Sequence, residues 1–510
     1  MKLKTIITLS LFIGFISNSY SQLTKEAKIL SEIRTEGFTN SEAIKMVSQL
    51  TDIYGQRLTG TREYYKAAKW ISDKMKKIGL QNVHFENYCS DCRGWDLKTF
   101  NVEMIAPNYM NISAYPSVMT RSTKGIITGE VISIENSNDL NKLKKEYSGQ
   151  LKGKIILLGK APRKKSLLDT LEFRYSKNKL KKKEEQLTAK VKITPLPELF
   201  KKWETDDKSD EGFLRFLESE GALAVLTTRA MHLGVLHPKE MYYFRNGDLK
   251  LLPYFSIMPE HFGRLYRMIK LNKTPTVRLN LETAFYDEPK NNVNIIGEIT
   301  GSDANLKSES ILIGAHFDSW HSGTGATDNG ANSVVLVEAL RILKQIGYKP
   351  KRTIRIGLWG GEEQAFLGSA SYAKKHFGAL DKNPNTASEK VSAYLNLDNG
   401  AGAIRGIYLQ NNELARPVFK KIFESLQNLN TSAVTIENTR STDHETFNHY
   451  NIPSFQFIQD ELAYNTATHH TNLDLLEYVK ENDIMKNAVI LAWTLYSLDT
   501  MKGKVPRKQN

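Results

Sequence analysis

Apolar residues along this chain change their spacing twice, and the changes separate three tracts. Over residues 25–80 they return at helical intervals, as in Ala67, Ala68, Ile71, Met75 and Ile78, and Gly79 closes the pattern. From about 109 to 281 short apolar runs at 125–134, 153–159, 221–227 and 252–257 alternate with lysine-rich helical stretches, and 260–271 has helical spacing. From 292 onward strands are predicted at 294–299, 311–315, 353–359, 392–397, 407–410 and 454–458. Helices are predicted between them at 331–345, 368–376, 414–426 and 481–498. This alternation predicts an α/β fold with a mixed, mostly parallel sheet flanked by helices. The middle tract, in which no clustered histidines and acids are evident, reads as a β-rich accessory domain inserted into that fold. The expected division is a leader at 1–21, parts of the main domain at 22–108 and 286–510, and the insert at 109–285.

Candidate chemistry gathers where the predicted strands end. The stretch ILIGAHFDSWHSGTGATDNG puts His316 at the end of an apolar run and Asp328 just before a glycine turn. Glu362 and Glu363 follow the strand at 353–359 through Gly360 and Gly361, Asp398 ends the run Tyr394, Leu395, Asn396, Leu397, and His469 and His470 fall in ATHHTNLD. In open α/β sheets ligands bind outside the carboxyl ends of the strands. Nitrogen and carboxylate ligands on separate strand ends suit two zinc ions with open positions for water and substrate. Taken singly each signal has an ordinary alternative: paired glutamates also open helices, Asp398 also suits a turn before Gly400, and a histidine pair is often solvated.

The first residues, MKLKTIITLSLFIGFISNSYSQ, place Lys2 and Lys4 before an apolar segment, with small residues at Ser19 and Ser21, as in a secretory signal peptide cleaved after Ser21. Export to the periplasm or the extracellular space is therefore expected. No later apolar run reaches the roughly 20 residues of a membrane span, so no stable membrane insertion is expected. The chain has 510 residues, 70 Lys and Arg against 56 Asp and Glu, and a net charge of +14. The excess is local: Lys177, Lys179, Lys181, Lys182 and Lys183 run straight into Glu184 and Glu185 without aromatic interleaving. A solvated helix with internal ion pairs explains that run, and no nucleic-acid partner is expected. Cys89 and Cys92 are the only cysteines and suit a small-loop disulfide or two free thiols.

In this order, HFDSW, TDNG, GEEQ, NLDNG and HHTNLD resemble the M28 family of dizinc metallopeptidases, in particular secreted members of the carboxypeptidase Q and aminopeptidase kind. The resemblance covers about 25–108 and 292–498, and the insert looks like a protease-associated domain. It implies one zinc held by His316 and Asp398, a second by Glu363 and His470, and Asp328 bridging both. It also implies Glu362 as general base and acid, Asp318 orienting His316, and a cis peptide at Asp328-Asn329. Many relatives have tyrosine where this chain has His469, so His469, Tyr464 or another group is left to contact the oxyanion. The implied activity is release of a terminal residue from a peptide or a dipeptide by a metal-activated water. A glutaminyl cyclase-like transferase with one zinc, or a binding module on the same scaffold, are the alternatives. The oligomeric state is not encoded in any of these motifs.

Overall fold

The computed structural model of the chain describes residues 25–136, 139–162, 169–229, 231, 234–248, 250–379 and 386–508; the leader expected at 1–21 lies outside them. Two eight-stranded mixed sheets organise the described residues. In the first, the order is Gln81–Asn87, Val293–Ile299, Thr353–Trp359, Ser310–His316, Val391–Asn396, Ser454–Gln459, Ile404–Tyr408 and Ala433–Thr435. Its four central strands, from Thr353–Trp359 to Ser454–Gln459, run parallel, whereas Val293–Ile299 and Ile404–Tyr408 are antiparallel to their inner neighbours. Strands buried on both faces read as nearly unbroken apolar runs. Ser310–His316 and Val391–Asn396 have that character, with every position from Ile311 onward and from Val391 onward buried.

One face of this sheet is covered by Ala331–Gln345 and Glu481–Thr500, where Leu336, Leu340 and Leu491 pack with Ile313 and Ile356 in one core. On the other face Trp359, Tyr372, Tyr394 and Phe447 form an aromatic cluster. The predicted helix 368–376 is observed as Leu367–Phe377, and 414–426 is reduced to Arg416–Glu424 behind a short turn at Glu413–Ala415.

The second sheet lies wholly within residues 94–286 and has the order Met110–Asn111, Gly94–Ala106, Thr276–Tyr286, Ile127–Ile134, Lys154–Leu158, Ala224–Thr227, Tyr254–Ile257 and Ala114–Pro116. The strand Gly94–Ala106, upstream of the division expected at 108, pairs along its length with Thr276–Tyr286 and so joins this second sheet. Neither strand stands out in the sequence, nor does Gln81–Asn87.

The lysine run forms the helix Lys177–Glu184, with Lys181 3.7 Å from Glu185 as an internal pair. It also has a structural task. Thr435 Oγ1 donates to the Lys183 carbonyl at 2.6 Å and the Val434 amide donates to Glu184 at 3.2 Å, so the helix covers the last strand of the first sheet. Cys89 and Cys92 are joined in a disulfide with Cα atoms 5.5 Å apart. Among the described residues no helix is long and apolar enough to cross a membrane.

Candidate active site

The parallel strands bring their carboxyl ends together, and the predicted residues follow. His316 is the last residue of its strand, Glu362 and Glu363 follow Thr353–Trp359, and Asp398 follows Val391–Asn396. Two glycines make the glutamate turn possible. Gly361 has φ +67, and a Cβ on Gly360 would lie 2.3 Å from the Tyr64 hydroxyl. Asp318, fully buried, accepts from the amides of Glu362 at 3.2 Å and Glu363 at 3.3 Å, which fixes the turn against the His316 strand.

Two donor groups meet at Asp328. Its Oδ1 is 3.0 Å from His316 Nε2, which is in turn 3.3 Å from Asp398 Oδ1. Its Oδ2 is 3.3 Å from His470 Nε2, which is 3.0 Å from Glu363 Oε2. His470 adopts a left-handed backbone with φ 59, a strained conformation for a residue with a side chain. The Asp328-Asn329 peptide is cis, as the sequence motif implied.

His316 Nδ1 donates to the main-chain carbonyl of Asp318 at 3.1 Å, with a carboxylate oxygen of Asp318 further away at 3.6 Å. Asp318 therefore orients His316 through its backbone, while its carboxylate serves the Glu362 turn. His469 stacks on His470 with ring centroids 3.8 Å apart, and its Nε2 lies 3.9 Å from Asp328 Oδ2. Its side chain is 42% exposed. The Tyr464 ring sits behind that of His469, at 4.8 Å.

Burial raises the Glu362 carboxyl well above the usual range, an effect that His316 opposes and that Asp398 and Asp443 reinforce. Burial likewise pushes Glu363 up to about 7, against the attraction of His470. Burial opposes a charged His316, yet the acids around it, Asp398 first, raise its pKa well above normal. The centre thus concentrates acids at a place where unpaired carboxylates are costly. Asp328 Oδ2 and Glu363 Oε1 are both buried without a hydrogen-bond partner.

Three contributors escaped the sequence reading. Asp474 accepts from the Thr327 hydroxyl at 2.8 Å and from the Asp328 amide at 3.2 Å, and so holds the Asp328 loop; it closes the HHTNLD motif, which was its signal. Arg57, with no exposed surface, donates to the carbonyls of Phe317 at 2.7 Å, Thr324 at 2.8 Å and Gly325 at 2.8 Å. A lone arginine far upstream gives no signal of such a role. Glu240 comes from the tract of the second sheet, between Ala224–Thr227 and Tyr254–Ile257, where the sequence predicts no clustered histidines and acids. That expectation fails, because His237 and Glu240 both reach His470: Glu240 Oε1 lies 2.6 Å from His470 Nδ1, and the His237 and His470 rings are 6.0 Å apart.

A buried set of histidine and carboxylate donors at the carboxyl ends of an α/β sheet defines a class, that of metal-dependent hydrolases. Residues 294–494 match the model of Peptidase family M28, and the chain carries a domain of that family. Carboxypeptidase Q of Mus musculus is 23% identical over 482 residues, covering 94% of this chain and 90% of that protein. Leupeptin-inactivating enzyme 1 of Streptomyces exfoliatus is 25% identical over 222 residues, covering 40% of this chain and 48% of that protein. A solved peptidase M28 precursor from Shewanella amazonensis SB2B superposes with a TM-score of 0.67 at 21% identity, covering 96% of this chain and 100% of the other. The zinc aminopeptidase BSAP of Bacillus subtilis superposes with a TM-score of 0.54 at 19% identity, covering 89% of this chain and 93% of the other.

Proposed function

We propose that this chain is an exported, zinc-dependent exopeptidase that holds two zinc ions and releases an N-terminal residue from a peptide or a dipeptide. The observation that carries the reading is the Asp328 carboxylate, whose two oxygens face two different donor sets at 3.0 and 3.3 Å. The residues fit such a cofactor: the two orphaned buried oxygens, on Asp328 and Glu363, are those that cations would satisfy. His316 and Asp398 would hold one ion, Glu363 and His470 the other, with Asp328 between them. Bound there, zinc would acidify a water and polarise the scissile carbonyl.

The remaining work falls to side chains. Glu362, whose carboxyl burial raises above its ordinary range, takes the proton of the attacking water and delivers it to the leaving amine. Asp318 keeps that carboxylate in place by clamping its amide. His469, with an exposed edge beside Asp328, is the group we assign to the substrate oxyanion, with Tyr464 supporting its ring. We assign the leader at 1–21 to export and the second sheet to an inserted, protease-associated-like domain. The complete donor set with Glu362 favours a peptidase over a one-zinc cyclase or a binding module.

The test combines zinc content per chain with hydrolysis of aminoacyl reporters and dipeptides before and after chelation. Two zincs and chelator-sensitive release of an N-terminal residue are expected. One zinc with cyclisation of N-terminal glutamine would replace this reading with the transferase, and no zinc with no turnover would replace it with a binding module.

A further inference from the structure

Outside the donor set, the closest contact to it comes from a part of the chain more than two hundred residues away. Glu240 Oε1 lies 2.6 Å from His470 Nδ1, while His470 Nε2 faces Asp328 and Glu363. An imidazole that presents one nitrogen as a ligand is oriented by what its other nitrogen binds. With Glu240 accepting at Nδ1, the proton of a neutral His470 is held there and the lone pair is left on Nε2.

Besides His470 and the His469 ring beside it, Glu240 has His237 close by among the described residues, its Nε2 3.7 Å away. That ring is already committed. Its Nδ1 lies 3.0 Å from the Pro238 carbonyl, to which it donates, and its Nε2 accepts from Arg229 Nη1 at 2.7 Å. His237 Nε2 therefore has no proton to offer Glu240, and the adjacent guanidinium makes the His237, Glu240, His470 cluster a poor cation site in its own right. Glu240 Oε1 is left to His470, while Oε2 lies 3.5 Å from the Tyr242 hydroxyl.

The segment that carries Glu240 is held against the His470 loop from both sides. The Leu236 amide donates to Asn472 Oδ1 at 2.7 Å, and the Asn472 amide donates to the Leu236 carbonyl at 3.0 Å. Beyond Glu240, Tyr242 packs edge-on against Trp320 at 6.3 Å, and Trp320 lies 5.8 Å from the His470 ring. This is a docked, hydrogen-bonded edge of the insert.

We infer that Glu240 is a positioning residue of the metal centre, so that the insert completes the site by fixing the tautomer and orientation of His470. The inference rests on the zinc reading above and adds to it that one of the two positions depends on the insert. The test is competitive chelator titration of the full-length protein and of its Glu240→Ala and Glu240→Gln forms, reading the affinity of each zinc, with kcat and KM on the best reporter. Loss of the carboxylate in Glu240→Ala should weaken one zinc by about 10–100-fold and leave the other within about twofold. Glu240→Gln, whose amide oxygen still accepts from Nδ1, should recover most of the loss, which a mere packing role would not produce. Asn472→Ala, which leaves Glu240 intact but loosens its segment, should weaken the same zinc to a smaller degree. Equal weakening of both zincs, no weakening at all, or failure of glutamine to recover more than alanine would each overturn the inference. Absence of zinc from the unsubstituted protein would instead overturn the reading beneath it.

Discussion

Glu362 and Glu363 are adjacent in the chain and have different surroundings, and the difference lies in what each faces. Glu363 points an oxygen at His470 Nε2 from 3.0 Å, while Glu362 has no histidine within ion-pairing distance among the described residues and lies in the field of Asp398 and Asp443. A carboxylate without a bound partner at this point is free to exchange a proton. Glu362→Gln should therefore keep the metal content of the parent while kcat falls by about 10²–10⁴, the range for losing a general acid-base. Elemental analysis together with steady-state kinetics decides it, and near-normal turnover removes Glu362 from the mechanism. Asp328→Ala should behave differently, because both donor sets share that carboxylate. Occupancy of both positions should fall together in the same elemental analysis, and loss of only one would show that Asp328 does not bridge.

The loop from Phe317 to Gly325 shows why single elements were legible to different degrees. Its strand, Ser310–His316, is buried from Ile311 on and announced itself as an apolar run, and the Asp328 turn carried its glycines. Gln81–Asn87 is mostly exposed and polar at the sheet edge, so no apolar pattern marks it. Gly94–Ala106 loses strict alternation because its register against Thr276–Tyr286 shifts between Leu97 and Thr99 and again after Met104. What holds the loop was illegible for another reason: Arg57 serves three of its carbonyls from 260 or more residues upstream. Burial lowers the Arg57 pKa to about 10, which leaves it charged at neutral pH. Arg57→Ala would strand those carbonyls, at about 1–3 kcal/mol for each one left unsatisfied. Thermal unfolding should move down by several degrees or more, and an unchanged midpoint would mean that water replaces the guanidinium without loss.

At the scale of the whole molecule, the parts of the chain that carry the first and the second sheet meet along a buried seam. Leu58, Tyr88 and Trp320 pack in one apolar cluster with Trp95, Tyr243 and Tyr254. The His470 contact with Glu240 lies on this seam, and no periodicity can show a pairing between residues 230 apart, so the place of Glu240 beside the site was hidden in the sequence. His321 is on the seam too. It sits edge-on to Trp95 and Tyr115, and its Nε2 donates to the Pro116 carbonyl of the second sheet at 2.7 Å. Burial lowers its pKa to about 4, and burial does the same to His444, whose Nε2 donates to the Thr439 carbonyl at 3.1 Å. The sign of the linkage follows from this. Below the ordinary histidine value of 6.5 the unfolded chain takes up protons that the folded chain refuses until about 4, so the stability these residues carry is complete above pH 6.5 and is lost as the pH falls toward 4. A difference of that size corresponds to about 3 kcal/mol for each histidine. Urea unfolding of the chelated protein at pH 7.5, 6 and 4.5 should show the decline without a metal contribution. His321→Gln, which can still donate to Pro116 but cannot be protonated, should be less stable at pH 7.5 yet have a shallower decline; parallel pH profiles for the two proteins would show that His321 is not one of the groups through which acid opens the seam.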